Sequence, residues 1–148
     1  MPNGRNSLPF AAQQYALVTL YPTSQCVTRR DRLVWRGELQ PTPLSRLYRV
    51  CIEYEMRQVP NVFVVEPLLR KIADAGFSKD RKLPHVYPEQ GDPLCLYNGL
   101  REWNSARLIA RSIVPWTCLW LQFFEVWVNT NTWEGSGAPY GQESKAAA

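Results

Sequence analysis

Histidine and lysine are scarce in this chain. Among 148 residues there is one histidine, His85, and the lysines are Lys71, Lys79, Lys82 and Lys145. The four cysteines, Cys26, Cys51, Cys95 and Cys118, show no Cys-x-x-Cys spacing. One histidine and unclustered cysteines make a zinc site improbable, and no metal or other cofactor is expected. Arginine supplies most of the positive charge, and the formal net charge of +4 is too small to argue for a nucleic-acid partner. There is no glycine-rich nucleotide-binding loop, so the chain is not expected to adenylate a carboxylate by itself. No apolar run is long enough to cross a bilayer. The most apolar window, Ile113 to Val128, contains Pro115, Gln122 and Glu125, and reads as a core helix rather than a membrane span. Met1 to Ser7 is polar and carries no signal-peptide pattern, so a reducing cytoplasm with reduced thiols is the expected location.

What is present is enough for one packed domain. A hydrophobic fraction of 45% argues against disorder. The domain is expected over residues 8–134, followed by a flexible Gly/Ser/Ala-rich tail over 135–148.

Asn6 and Ser7 are candidate caps for a first helix, with Pro9 near its first turn. Phe10, Gln13, Gln14, Leu17 and Leu20 follow at helical spacing, and Pro22 stops the run. Cys26 to Arg30 and Leu33 to Leu39 read as short strands, the second with Gly37 as a bulge. Leu47 to Arg57 alternates strictly. Tyr48, Val50, Ile52, Tyr54 and Met56 share one face, while Arg49, Cys51, Glu53, Glu55 and Arg57 share a mostly wet one. Val62 to Val65 reads as a buried strand closed by Pro67. Strands joined by short turns predict an antiparallel meander. Pro67 to Gly76 reads as a short helix or a structured loop. Asn104 or Ser105 caps a helix with Leu108, Ile109 and Ile113, and Pro115 breaks it or begins the next. Trp116, Trp120, Phe123 and Trp127 then form an aromatic stripe. The fold class is α+β, with helices over one sheet face.

Between the strands and these helices lies Leu83 to Trp103. Pro88, Gly91, Asp92, Pro93 and Gly99 make it a loop of fixed bends. It carries His85 and, after the Gly91-Asp92-Pro93 turn, Cys95. A loop held by a scaffold is a common place for chemistry.

This order resembles the ubiquitin-conjugating enzyme family. Its members run helix, four-stranded meander, an active-site stretch with a His-Pro-Asn motif, then helices. The family's catalytic cysteine comes ten residues after that histidine, is followed by leucine, and has a tryptophan several residues on. Here Cys95 follows His85 by ten, Leu96 comes next, and Trp103 lies eight residues past the cysteine. Leu83-Pro84-His85-Val86-Tyr87, Leu94-Cys95-Leu96 and Trp116-Thr117-x-Leu119-Trp120-Leu121-x-Phe123-x-Glu125-x-Trp127 resemble more closely the stand-alone conjugating-enzyme-like proteins of type II (short) CBASS antiphage operons. The resemblance implies a ubiquitin-conjugating-enzyme-like fold and a catalytic cysteine at Cys95. It implies that His85 shapes the loop through hydrogen bonds rather than acting as a base. The family's asparagine, eight residues before the cysteine, is Tyr87 here. Tyr87 through its hydroxyl, or Asn98 through its amide, is a candidate for loop-shaping or oxyanion support.

The implied partners are the C-terminus of a CD-NTase (cyclic-oligonucleotide synthase) and target proteins with a free amine. Cys95 would hold that C-terminus as a thioester and transfer it. A nearly balanced thioester exchange needs no strongly activated Cys–His pair. Arg101 or Lys82 could lower the thiol pKa, and Asp92 would oppose this or steer an amine. The alternative is a catalytically inert scaffold on the same fold, which the Tyr87 substitution favours. A thiol hydrolase or redox enzyme would need a base or a resolving cysteine. Cys26, Cys51 and Cys118 read as structural, and Arg29, Arg30, Arg32 and Arg36 as a solvated face or a docking surface for an acidic partner.

Overall fold

The computed structural model describes residues 7–96 and 102–135. Asn6, Asn98, Arg101 and the tail beyond residue 135 lie outside the described residues. The first helix, α1, spans Phe10–Leu20. Four strands follow: β1 (Gln25–Arg29), β2 (Arg32–Leu39), β3 (Tyr48–Glu55) and β4 (Asn61–Glu66). They form one antiparallel sheet in the order β1-β2-β3-β4. A short helix, α2 (Leu69–Asp74), leads to the stretch around Cys95, and the long helix α3 (Ile113–Thr130) follows.

Alternation in β3 holds on its inner face, where Tyr48, Val50, Ile52 and Tyr54 are fully buried. The outer face departs from the expected wet pattern at Cys51, which is buried. Register explains this: Cys51 sits between Arg36 on β2 and Phe63 on β4, and two large cross-strand neighbours cover a small thiol. β4 is not buried throughout. Val62 and Val64 face inward, while Val65 is exposed. Gly37 is not a bulge. It pairs with Val50 in unbroken register, and the ladder irregularity lies between Arg49 and Val50 instead. Glycine is required at 37 because a Cβ there would overlap the buried Trp35 ring.

Three helix expectations change. The N-cap of α1 is Pro9, with no side-chain cap; Ser7 instead hydrogen-bonds its hydroxyl to that of Ser105. No helix begins at Asn104. Asn104 Oδ1 accepts from the Ala106 N–H at 2.9 Å, an Asx turn that competes with helix, and a 3-10 turn at Ile109–Arg111 follows. Pro115 lies in the first turn of α3, where no intrahelical partner exists for an N–H, so it neither breaks nor begins a helix. The buried face of α3 carries Ile113, Thr117, Trp120, Leu121, Phe124 and Trp127. Phe124, not Phe123, is the core ring; Phe123 packs on Trp133 at 5.8 Å.

α1 is bonded to the approach to α3 through one polar side chain. Gln13 is fully buried. Its Nε2 donates to the Arg107 carbonyl at 2.9 Å, and its Oε1 accepts from the Ile109 N–H at 2.8 Å. Gln13→Leu keeps the volume but orphans the N–H of Ile109, which is itself fully buried. An unsatisfied buried donor costs about 1–3 kcal/mol. Urea unfolding of Gln13→Leu should show an unfolding free energy lowered by that amount, read as a lower midpoint at unchanged slope; an unchanged midpoint would mean that water or another acceptor replaces Gln13.

Candidate functional site

The stretch from Leu83 is more regular than its turn residues suggest. Val86 and Leu94 form an antiparallel bridge. The Tyr87 N–H donates to the Pro93 carbonyl at 3.0 Å, and the Cys95 N–H donates to the His85 carbonyl at 2.9 Å. This is a short hairpin in which Cys95 lies opposite His85 and Tyr87 lies opposite Pro93. The ten-residue spacing between His85 and Cys95 is thus the length of one closed hairpin. Its tip holds a 3-10 turn, Pro88–Gln90, then Gly91 (φ 88°) and Asp92 (φ 66°) in the left-handed region. Gly91 takes that conformation without penalty, and Asp tolerates it better than most residues. The Tyr87 carbonyl closes the tip by accepting from the N–H groups of Gln90 and Asp92.

Two bonds fix the hairpin to the core. The Leu94 N–H donates to the Val62 carbonyl on β4 at 2.9 Å. The indole Nε1–H of Trp120 on α3 donates to the His85 carbonyl at 3.2 Å. One carbonyl therefore accepts both the backbone of Cys95 and the side chain of Trp120, using both of its lone pairs. Val86 and Leu94 are buried beneath the hairpin. The sequence gives no sign of Trp120's role. Its spacing marks it only as a core residue, and it lies 35 positions from its acceptor.

His85 has φ 52°. Its imidazole lies against Trp133, with ring centroids 4.6 Å apart. Burial lowers its pKa from the ordinary 6.5, so the ring is neutral at neutral pH. The main-chain carbonyl of His85 accepts the Cys95 N–H.

Cys95 is 2% exposed. The structure holds this residue covered, whereas the nucleophilic role implied for it needs an accessible sulfur. None of the four cysteines is in a disulfide. Burial pushes the Cys26 thiol up to about 11 and also raises Cys118. Cys51 is raised by burial, with Arg36 opposing. These three are poor sources of thiolate. Trp103, eight residues past Cys95, is a buried anchor: its Nε1–H donates to Ser112 Oγ at 3.0 Å, and its ring meets Tyr54 edge-on. Asp92 is exposed at the hairpin tip, beside a recess of about 180 Å³ lined by Phe63, Leu68, Leu69, Leu83 and Arg70. The arginines at 29, 30, 32 and 36 are all exposed, with Arg32 paired to Glu53 at 2.9 Å. Among the described residues no cluster of His, Cys, Asp and Glu could hold a metal. No helix among the described residues is long and apolar enough to cross a membrane.

A family model described as "Type II CBASS E2 protein" matches residues 13–140. No curated protein matches the chain.

A half-buried neutral histidine makes stability depend on pH. The unfolded chain binds the His85 proton near pH 6.5, while the folded chain binds it only at lower pH. The contribution is complete above pH 6.5 and is lost as pH falls through the lowered folded value. The melting temperature should therefore fall more steeply below pH 6.5 in the wild type than in His85→Asn, whose side chain also tolerates positive φ. Parallel curves from pH 7.5 to 5.5 would contradict the burial of a neutral ring.

Proposed function

The chain belongs to the type II CBASS E2 family, and on that premise we propose that it holds the C-terminus of a CD-NTase as a thioester on Cys95 and passes it to an amine, regulating antiphage CBASS signalling. The reading takes residues 8–134 as one ubiquitin-conjugating-enzyme-like domain, at work in the cytoplasm. The observation that supports it most is the hairpin: the family's ten-residue interval is closed by the bond between the Cys95 N–H and the His85 carbonyl. That bond fixes the backbone of the sulfur-bearing residue, which is what an acyl carrier requires of its scaffold.

The chemistry has two steps. The Cys95 thiolate attacks the carbonyl carbon of an already activated C-terminus. A C–S bond forms, and the activating group leaves with the electron pair of the bond it held. A neutral amine then attacks the thioester carbonyl. The C–S bond breaks, the thiolate returns, an amide forms, and the amine's proton passes to water. Activation of the acyl group comes from outside the chain, through an activating enzyme, a pre-activated substrate or another route, because the chain has no adenylating loop. An oxyanion forms in each step and needs a donor. Tyr87 is a diagonal neighbour of Cys95 across the hairpin, at about 7–8 Å for such pairs, so its hydroxyl is the candidate from the described residues. Asn98 is a candidate by its place three residues after Cys95. His85 acts as the loop's pin. Loading requires the atoms that cover Cys95 to move aside, and the same cover afterwards keeps water from the thioester.

The second reading is an inert scaffold on the same fold. The 2% exposure of Cys95 and the presence of Tyr87 in place of asparagine both favour it. Co-expression with the synthase of the same operon separates the two. A carrier gives an adduct on non-reducing gels that is cleaved by thiols, absent in Cys95→Ala, and resistant to thiols in Cys95→Ser, where an oxygen ester replaces the thioester. An adduct that persists in Cys95→Ala would exclude Cys95 as carrier. No adduct, together with equal phage protection by wild type and Cys95→Ala, would leave the scaffold.

A further inference from the structure

Glu125, part of the Trp-rich motif of α3, has no role in the proposed chemistry, yet it is unusually well held. Its Oε1 accepts from Ser45 Oγ at 2.8 Å and its Oε2 from the Tyr48 hydroxyl at 2.7 Å. Ser45 and Tyr48 are both buried. Neither donor carries charge, and none of the ion pairs among the described residues involves Glu125. A half-buried carboxylate is thus fixed in place without a direct ion-pair partner among the described residues, the nearby cation being Arg46 on the wall of a shared cleft.

This cleft, of about 550 Å³, lies between the loop before β3, the end of α2 and α3. One turn on, Asn129 lines the same cleft; its Nδ2 is committed to the Glu125 carbonyl at 2.9 Å, so the amide offers its oxygen. The wall also carries Ile72 and Val128. Acceptors above an apolar wall suit a ligand with several donors on a flat cationic head and a methylene stem. Arg46 lines the cleft as well. It is exposed and makes no ion pair among the described residues, and its charge would repel such a ligand from the mouth.

We propose that this cleft is a docking site for an arginine side chain on a partner protein, with the guanidinium on Glu125 and Asn129 and the stem against Ile72 and Val128. Guanidinium fits better than ammonium because its fork of donors can serve separate acceptors at once and its weaker hydration suits an apolar wall. The site is independent of the Cys95 chemistry, since every residue in it lies outside the hairpin.

Agmatine, a guanidinium on a four-carbon chain, is the probe. Amide and side-chain shifts of Ser45, Gly76 and Asn129 in ¹H–¹⁵N spectra of the full chain should saturate with agmatine and move less with n-butylamine. Glu125→Gln, which keeps the shape and a hydrogen-bond acceptor, should weaken agmatine by about tenfold, the worth of one charge-assisted bond. Arg46→Ala should tighten it several-fold, roughly as expected for removing a like charge near the mouth. That gain would not arise if Glu125 served only to hold the loop, and it stands even if Glu125→Gln proves unstable. Absence of saturable shifts, equal affinity in a folded Glu125→Gln, or no gain in Arg46→Ala would overturn the proposal.

Discussion

The carbonyl oxygen of His85 is the point on which the candidate site depends. It accepts the Cys95 N–H and the Trp120 indole N–H together. The first bond closes the hairpin, and the second ties the hairpin to the long C-terminal helix. A carbonyl can take two donors only if the chain presents both lone pairs to the interior, and His85 does so at φ 52°. Its imidazole is then turned against Trp133. A histidine in this place is thus used for its main chain and for its flat ring. The lowered pKa follows from that burial, and the bond to Cys95 uses the main chain of His85 and not its ring.

The core explains why this arrangement is rigid. α3 sends Trp120 toward the hairpin and stacks it on Phe124 at 5.4 Å, while Trp133, after the helix, meets Trp120 at the same separation. On the same helix Glu125 holds the approach to β3 through Ser45 and Tyr48. One helix therefore positions both the Cys95 hairpin and the start of the central strand. The apolar side chains of α3 and the inner face of the sheet belong to one buried cluster. Burial of this size is what lets a short hairpin keep its conformation.

Much of the fold was legible in the sequence. The alternation from Tyr48 to Tyr54 gave the inner face of β3, and the turn residues gave the meander. Periodicity could not tell Phe123 from Phe124, since adjacent positions on a helix differ by 100° and a wide aromatic face includes either. It could not tell a bulge from a close packing contact at Gly37, because both need the same residue. Of the site, the spacing of His85 and Cys95 was readable, and the resemblance of the flanking residues gave Cys95 its candidate role. The Trp120 bond and the covering of Cys95 were not readable. Both are long-range consequences of packing, with no local pattern to announce them.

The central claim is that the main-chain clamp at His85 keeps Cys95 in its covered position until it is needed. Trp120→Phe removes the indole donor and keeps a large ring. The direct measurement is the rate of iodoacetamide modification at each cysteine, followed by mass spectrometry under native conditions. Loss of one hydrogen bond is worth about 1 kcal/mol, so Cys95 should react roughly fivefold faster in Trp120→Phe, with Cys51 in the sheet unchanged. Equal rates at Cys95, or equal acceleration at Cys51, would contradict a local clamp.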